Sequence, residues 1–356
     1  MELRVEKNSS TSSFKKLPGG FLIALMFIVV FEFANDYFDN YFYSPREEGV
    51  GQPFEGLRIK IKNEISQSRE NNFDILILGD SHSHVSIKPK IIEEKTGRSC
   101  FNFSTFGWQG TIGSYWFFKN YLDSHVLRPK YLIVAYSFLT AYPEEFTRDM
   151  QIINLYDLRK GNILAYMEEF GFIPGIKFIF PSLKHQGRFK EFIKSPFSFK
   201  MPTKKQLDDF IMQVYLDKGH YPLRVEKVFS PEAKESGYKK FFEYANLDNF
   251  KISPFALKYL RRSLDLAKKY NIKIIYEVQP LPPYLYNKIS RYNYLKQYND
   301  FIDSLKKDYP DIIVINPQNI LDSDDMYMDR DHLNGKGAPI LSEFLAQKIN
   351  ELNRQD

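Results

Sequence analysis

Three residues far apart in the chain have the side-chain types that acyl transfer to a hydroxyl requires. Ser81 ends an apolar run in the stretch 75–83, ILILGDSHS, while Asp329 and His332 stand three residues apart in MYMDRDHLNGKG, just before an amphipathic segment. A serine hydroxyl is a weak nucleophile near neutral pH. It needs a base within hydrogen-bond reach, and that base needs a third group to fix its tautomer. In this pattern Ser81 is the nucleophile, His332 the general base and Asp329 its orienter. Each motif alone has a blander reading, a turn or helix N-cap for Gly-Asp-Ser and a cap on the following helix for Asp329 and His332. What separates the readings is whether the fold brings the two ends of the chain together.

The elements between them predict that it does. Apolar runs at 74–78, 99–103, 131–136, 273–278 and 312–316 read as buried strands, each followed by a turn and a helical pattern. Pro89 and Gly97 bracket one helix; Asn102, Gly107 and Gly110 lie in a loop that opens a second through Trp116 and Leu122. Strands alternating with helices predict an α/β fold, a five-stranded doubly wound parallel sheet. Ser81 then follows the first strand and the 329–332 segment the fifth, both at the carboxyl edge where such sheets place their sites. Gly79 is expected to relax the turn before Ser81.

Outside this pattern the chain divides further. Residues 1–16 are polar and read as a cytoplasmic tail. Residues 17–31 carry no charge, and the aromatic stretch through Tyr43 extends them to the roughly 20 residues a bilayer span requires. No small-x-small cleavage pattern follows, so 17–43 is expected to be an uncleaved transmembrane signal anchor. Arg4, Lys7, Lys15 and Lys16 precede it and Glu32, Asp36 and Asp39 follow. This asymmetry puts the remainder outside the cytoplasm, as a single-pass protein of the cell membrane. Residues 44–72 read as a connector with a helical piece around Leu57 to Ile65, 73–141 with 250–356 as the α/β domain, and 142–249 as a mostly helical insertion or cap rich in Lys, Arg and Phe.

Composition narrows the function classes. A net charge of +5 over 356 residues is too dilute to argue for nucleic acid. The single cysteine, Cys100, excludes an internal disulfide framework and is expected in a buried strand. His82 and His84 flank the nucleophile in SHSH. They do not make a tetrahedral set, so no metal and no cofactor is expected, and a structural or substrate-contact role is assigned instead. His125, His185 and His220 read as structural or exposed.

On Gly79-Asp80-Ser81 and the Asp329-x-x-His332 block, the chain resembles the SGNH, or GDSL, hydrolase superfamily over about 270 residues. The resemblance implies Ser81 as nucleophile, His332 as base and Asp329 as orienter. It also implies an oxyanion hole from Ser81 and a backbone amide of Gly107, five residues after Asn102, with Gly110 as the substitute. Asp80, His82, Asn102 and Gly110 become candidate substrate contacts. The family's third block, Gly-x-Asn-Asp, is replaced here by AYSFLTAYPEE, leaving Ser137 as a candidate donor in place of Asn. With the single span and the insertion, the architecture is similar to membrane-anchored SGNH-like proteins that act beside membrane-bound O-acyltransferases, such as the DltD proteins and the alginate or peptidoglycan O-acetylation proteins. The implied partners are the membrane, an O-acyltransferase and an acylated glycan or envelope polymer. The implied alternatives are a catalytically weak accessory on the same fold and a polymer-binding surface protein.

Overall fold

Runs such as ILILG and YLIVA bury every residue, the signature of strands covered on both faces. In the computed structural model, which describes residues 20, 23, 26–31, 55–105, 110–137, 171–172, 203–221, 235–236, 239, 250 and 252–354, these runs form one sheet. Its strands are β1 (Ile75–Gly79), β2 (Cys100–Asn102), β3 (Tyr131–Ala135), β4 (Lys273–Glu277) and β5 (Ile313–Ile315). All neighbours pair in parallel in the order β2-β1-β3-β4-β5, the flavodoxin-like doubly wound arrangement.

Because side chains alternate across a strand, the sheet has two apolar faces. Leu76, Leu78, Leu132, Val134 and Tyr276 enter one core; Ile75, Ile77, Ile133 and Ile275 enter the other. The first core is closed by helices α1 (Glu55–Gln67), α4 (Gly110–Ser124) and α6 (Pro254–Lys269), together with α7 (Pro283–Ile289) and α8 (Asn293–Asp308). The second is closed by α3 (Pro89–Thr96) and α9 (Gly337–Asn353). Two further helices are α2 (Ser81–Ser86) and α5 (Lys204–Leu216). As expected, Pro89 starts α3, Gly97 ends it at φ 67°, and Cys100 is buried in β2.

Two segments outside the sheet are described in part. The segment read as a connector contains α1, whose Leu57, Ile59, Ile61 and Ile65 lie in the main core; its Arg58 and Lys62 are buried as well. Of the expected span over 17–43, Gly20, Ile23 and residues 26–31 are described and are helical, with Ile23 and 26–31 exposed. Among the described residues no helix is long and apolar enough to cross a membrane. Most of the insertion at 142–249 lies outside the described residues. Its α5 is described, begun by a Thr203–Gln206 capping box.

Candidate active site

β1 ends at the point in the sheet where chain connections diverge to either side, and Ser81 is the first residue of the helix that follows. Gly79 is required there for space rather than for an unusual φ. A Cβ would stand 2.0 Å from the Ala135 carbonyl oxygen of β3 and 2.1 Å from Ser83 Oγ. Asp80 caps α2 in extended conformation, accepting the His82 amide at 3.0 Å. Its other carboxylate oxygen accepts the amide and hydroxyl of Ser137 at 2.8 and 2.6 Å, which ties the end of β3 to the turn before Ser81. Ser81 is half-buried, while every other residue of α2 is buried.

His332 arrives on a loop that is fixed at several points. Tyr327 and Leu333 pair as an antiparallel bridge, and Asn334 donates to the Asp325 and Tyr327 carbonyls. Asp329 Oδ1 accepts the amides of Asp331 and His332 at 3.0 and 2.8 Å. That turn lets His332 Nδ1–H donate back to Asp329, at 2.8 Å to Oδ2 and 3.0 Å to Oδ1. With Nδ1 carrying the proton, Nε2 is the ring's acceptor, the arrangement a general base needs. The Leu333 amide donates to Ser86 Oγ at 3.2 Å, joining this loop to the helix that begins at Ser81. Asp329 and His332 are therefore in direct contact. Ser81 shares their edge of the sheet, and no hydrogen bond links it to His332 among the described residues.

Sequence reasoning missed a second carboxylate. Asp331 Oδ1 lies 3.2 Å from His332 Nδ1, and the Asp331 carbonyl is held by the Gln279 side chain at 2.8 Å. Burial works against a charged His332, but Asp329 and then Asp331 outweigh it and raise its pKa well above the ordinary imidazole value. Asp331 moves the opposite way: burial raises it, and the His332 charge pulls it below the usual carboxylate range. Asp329, Asp331 and His332 offer metal-ligand atoms within 4.8 Å of one another. His332 Nδ1 already lies against both carboxylates, and a cation would have to displace its proton.

Several expected contacts have structural duties instead. Asn102 is fully buried, donating to the Ser83 and Ile87 carbonyls at 2.8 and 3.2 Å and accepting the Ser104 amide at 2.9 Å. Asp80 is buried and engaged as described. Ser137 has given its one hydroxyl hydrogen to Asp80, so it does not replace the missing Asn as a free donor. Gly110 begins α4, buried and at φ 46°; Gly107 lies outside the described residues. His125 bonds the Tyr121 and Ser68 carbonyls, and His220 bonds the Val85 carbonyl, both as structural residues; His185 is not described.

His82 and His84 share a helix but not an environment. His82 Nε2 lies 3.2 and 3.3 Å from the two oxygens of Glu277, the fully buried last residue of β4. Burial would discharge the ring, yet Glu277 first and Asp80 second raise its pKa above the ordinary value. His84 Nδ1 accepts from Lys62 Nζ at 3.2 Å; burial, Lys62 and Arg58 hold it neutral, well below the usual range. The Arg58 guanidinium lies 4.9 Å from the Phe210 ring and 4.5 Å from that of Tyr221. Lys62, Arg58 and Glu277 could not be assigned from sequence, because each depends on a contact between distant elements.

No family model matches the chain, and no curated protein matches it. Among solved structures, a candidate acylhydrolase from Bacteroides fragilis aligns with 85% of this chain and 99% of its own length, at 10% identity and a TM-score of 0.38. That likeness is too low to establish a shared fold.

Proposed function

We propose that this protein is a serine-dependent acyl hydrolase or acyl transferase. The observation that carries the reading is His332 Nδ1–H held by Asp329 on a loop bonded, one residue later, to the helix that begins at Ser81. Ser81 Oγ attacks an ester or thioester carbonyl while His332 Nε2 takes its proton. His332 then returns the proton to the leaving group, and water or an acceptor hydroxyl releases the acyl group in a second, equivalent cycle. The acceptor in this reading is a glycan or envelope polymer, reached from a membrane-anchored position outside the cytoplasm. The reading draws support from the N-terminal charge asymmetry and the exposed apolar helix at 26–31.

Ser137, spent on Asp80, favours a second reading in which the fold recruits a membrane-bound O-acyltransferase with little chemistry of its own. A fluorophosphonate probe distinguishes them. The first reading predicts a stoichiometric adduct on Ser81 of the full-length protein and none on Ser81→Ala. A protein that stays unlabelled while a serine esterase in the same tube is consumed would rule it out. In cells, the Ser81→Ala variant should lose envelope acylation, and a wild-type level of acylation would favour the accessory reading.

A further inference from the structure

The direction of α1 decides which edge of the domain lies next to the chain that precedes it. Its last residue, Gln67, leads to Ser68, whose carbonyl accepts from His125 just before β3, so α1 ends at the amino edge of the sheet. Its beginning lies at the other edge. Lys62 donates to the Ser104 carbonyl, two residues beyond β2. Arg58, a turn closer to the N-terminus, lies 4.5 Å from the ring of Tyr221, whose amide bonds the His84 carbonyl in α2. Glu55 therefore enters the domain at the carboxyl edge, the edge of Ser81 and of the 329–332 loop.

Residues 44–54 separate the expected anchor at 17–43 from Glu55. A stretch of that length reaches about 40 Å fully extended and about 20 Å as a random coil. To present the amino edge to a bilayer it would first have to run back along α1, itself about 20 Å long. The carboxyl edge also has the side chains for a membrane boundary. Tyr284, after β4, and Tyr292, before α8, are exposed at 43% and 41%, and tyrosine is a ring that settles between headgroups and acyl chains. The amino edge exposes Val126 and Leu127 before β3. We infer that the carboxyl edge faces the bilayer and that Ser81 takes its acyl group from a lipid-anchored ester there, rather than from a donor that diffuses in water. This inference rests on the serine acyl-transfer reading and its membrane anchor.

The test uses the full-length protein in phosphatidylcholine vesicles and two fluorophosphonates with the same reactive head. One is soluble; the other is joined to a dialkyl lipid by a spacer of about 10 Å, shorter than the length of α1 between the edges. With either, a bond forms from Ser81 Oγ to phosphorus, fluoride leaves and the serine proton passes to His332. Flotation with the vesicles checks the anchor, and labelling by the soluble probe checks the serine chemistry; failure of either removes the reading beneath the inference and the inference with it. Where both hold, the lipid-borne probe should label Ser81 about 10²-fold faster than the soluble one at equal bulk concentration, because confinement to the surface raises its effective concentration. A lipid-borne rate no faster than the soluble one would overturn the inference alone. A second measurement reads the edges separately. Cys100 is buried, so a thiol-reactive fluorophore reaches an introduced cysteine first. A quencher on the lipid headgroup should dim the label on Tyr284→Cys and Tyr292→Cys more than on Val126→Cys, and the reverse order would equally overturn the inference.

Discussion

The two faces of α2 place the same side chain in opposite states. Toward β4, His82 meets a carboxylate and its pKa is raised; toward α1, His84 meets an ammonium and its pKa is lowered. Burial is nearly complete on both sides, so it does not set the difference. The sign of the nearest buried charge does. The face that bears on His332 gathers carboxylates, Glu277 together with Asp329 and Asp331. The opposite face gathers cations, and it is closed by the 218–221 segment, which bonds β2 and α2 through Asn102–Lys218, His84–Tyr221 and Val85–His220. One face carries the groups that the proposed proton transfer would use, and the other ties α2 to its neighbours.

The comparison can be broken at several levels. The largest effect is expected at the base. Removing the single orienting carboxylate of a Ser-His-Asp triad costs about 10⁴-fold. Here Asp329→Asn should lose less, because Asp331 remains at 3.2 Å, and Asp329→Asn with Asp331→Asn should restore the full loss. Labelling rates that fall equally in the single and double variants would remove Asp331 from the account. Next comes the buried pair. Glu277→Leu leaves His82 without its counter-charge and should destabilise by about 3–5 kcal/mol in chemical denaturation, the range for breaking a buried ion pair. Lys62→Met removes hydrogen bonds to His84 and the Ser104 carbonyl and should cost about 1–3 kcal/mol. A reversed order would contradict the division between the faces.

The smallest effect is the dependence of stability on pH, and its two limbs have different owners. His82 and His332 have raised pKa values, so their contribution is complete below the ordinary imidazole pKa and is lost as pH rises through the folded values. His84 and His220 are lowered, His220 to about 3 by burial foremost. The unfolded chain binds protons there first, so these two destabilise the fold as pH falls from about 6.5 toward 3. Denaturation midpoints measured across pH should fall on both sides of a maximum. His220→Asn should flatten the acid limb and His82→Gln the alkaline one; the opposite assignment would contradict the cited environments.

The fold was legible because fully buried parallel strands announce themselves as continuous apolar runs; 131–136 and 273–278 foretold β3 and β4 almost to the residue. The contact between Asp329 and His332 was legible for a related reason, since turn chemistry is local. Asp331 was hidden in plain sight, inside Asp-x-x-His, because only the loop's curl brings its carboxylate to Nδ1. Glu277 was hidden by distance: a charged residue closing a strand gives no sign that a histidine 195 residues earlier will bury against it. The helix over Leu57 to Ile65 was legible, but the burial of its Arg58 and Lys62 was not, because rings and carbonyls from other elements receive them. Gly79 carried the right signal for a different reason, the closeness of β3 rather than freedom of φ.

The central claim is that His332 activates Ser81, and it can be tested directly by the second-order rate of fluorophosphonate labelling in wild type and His332→Gln, mapped to the modified residue. The account predicts labelling at Ser81 in wild type, rising with pH as the raised His332 loses its proton, and a loss on the order of 10⁴-fold in the variant. Equal rates in the two proteins, or labelling at a residue other than Ser81, would contradict it.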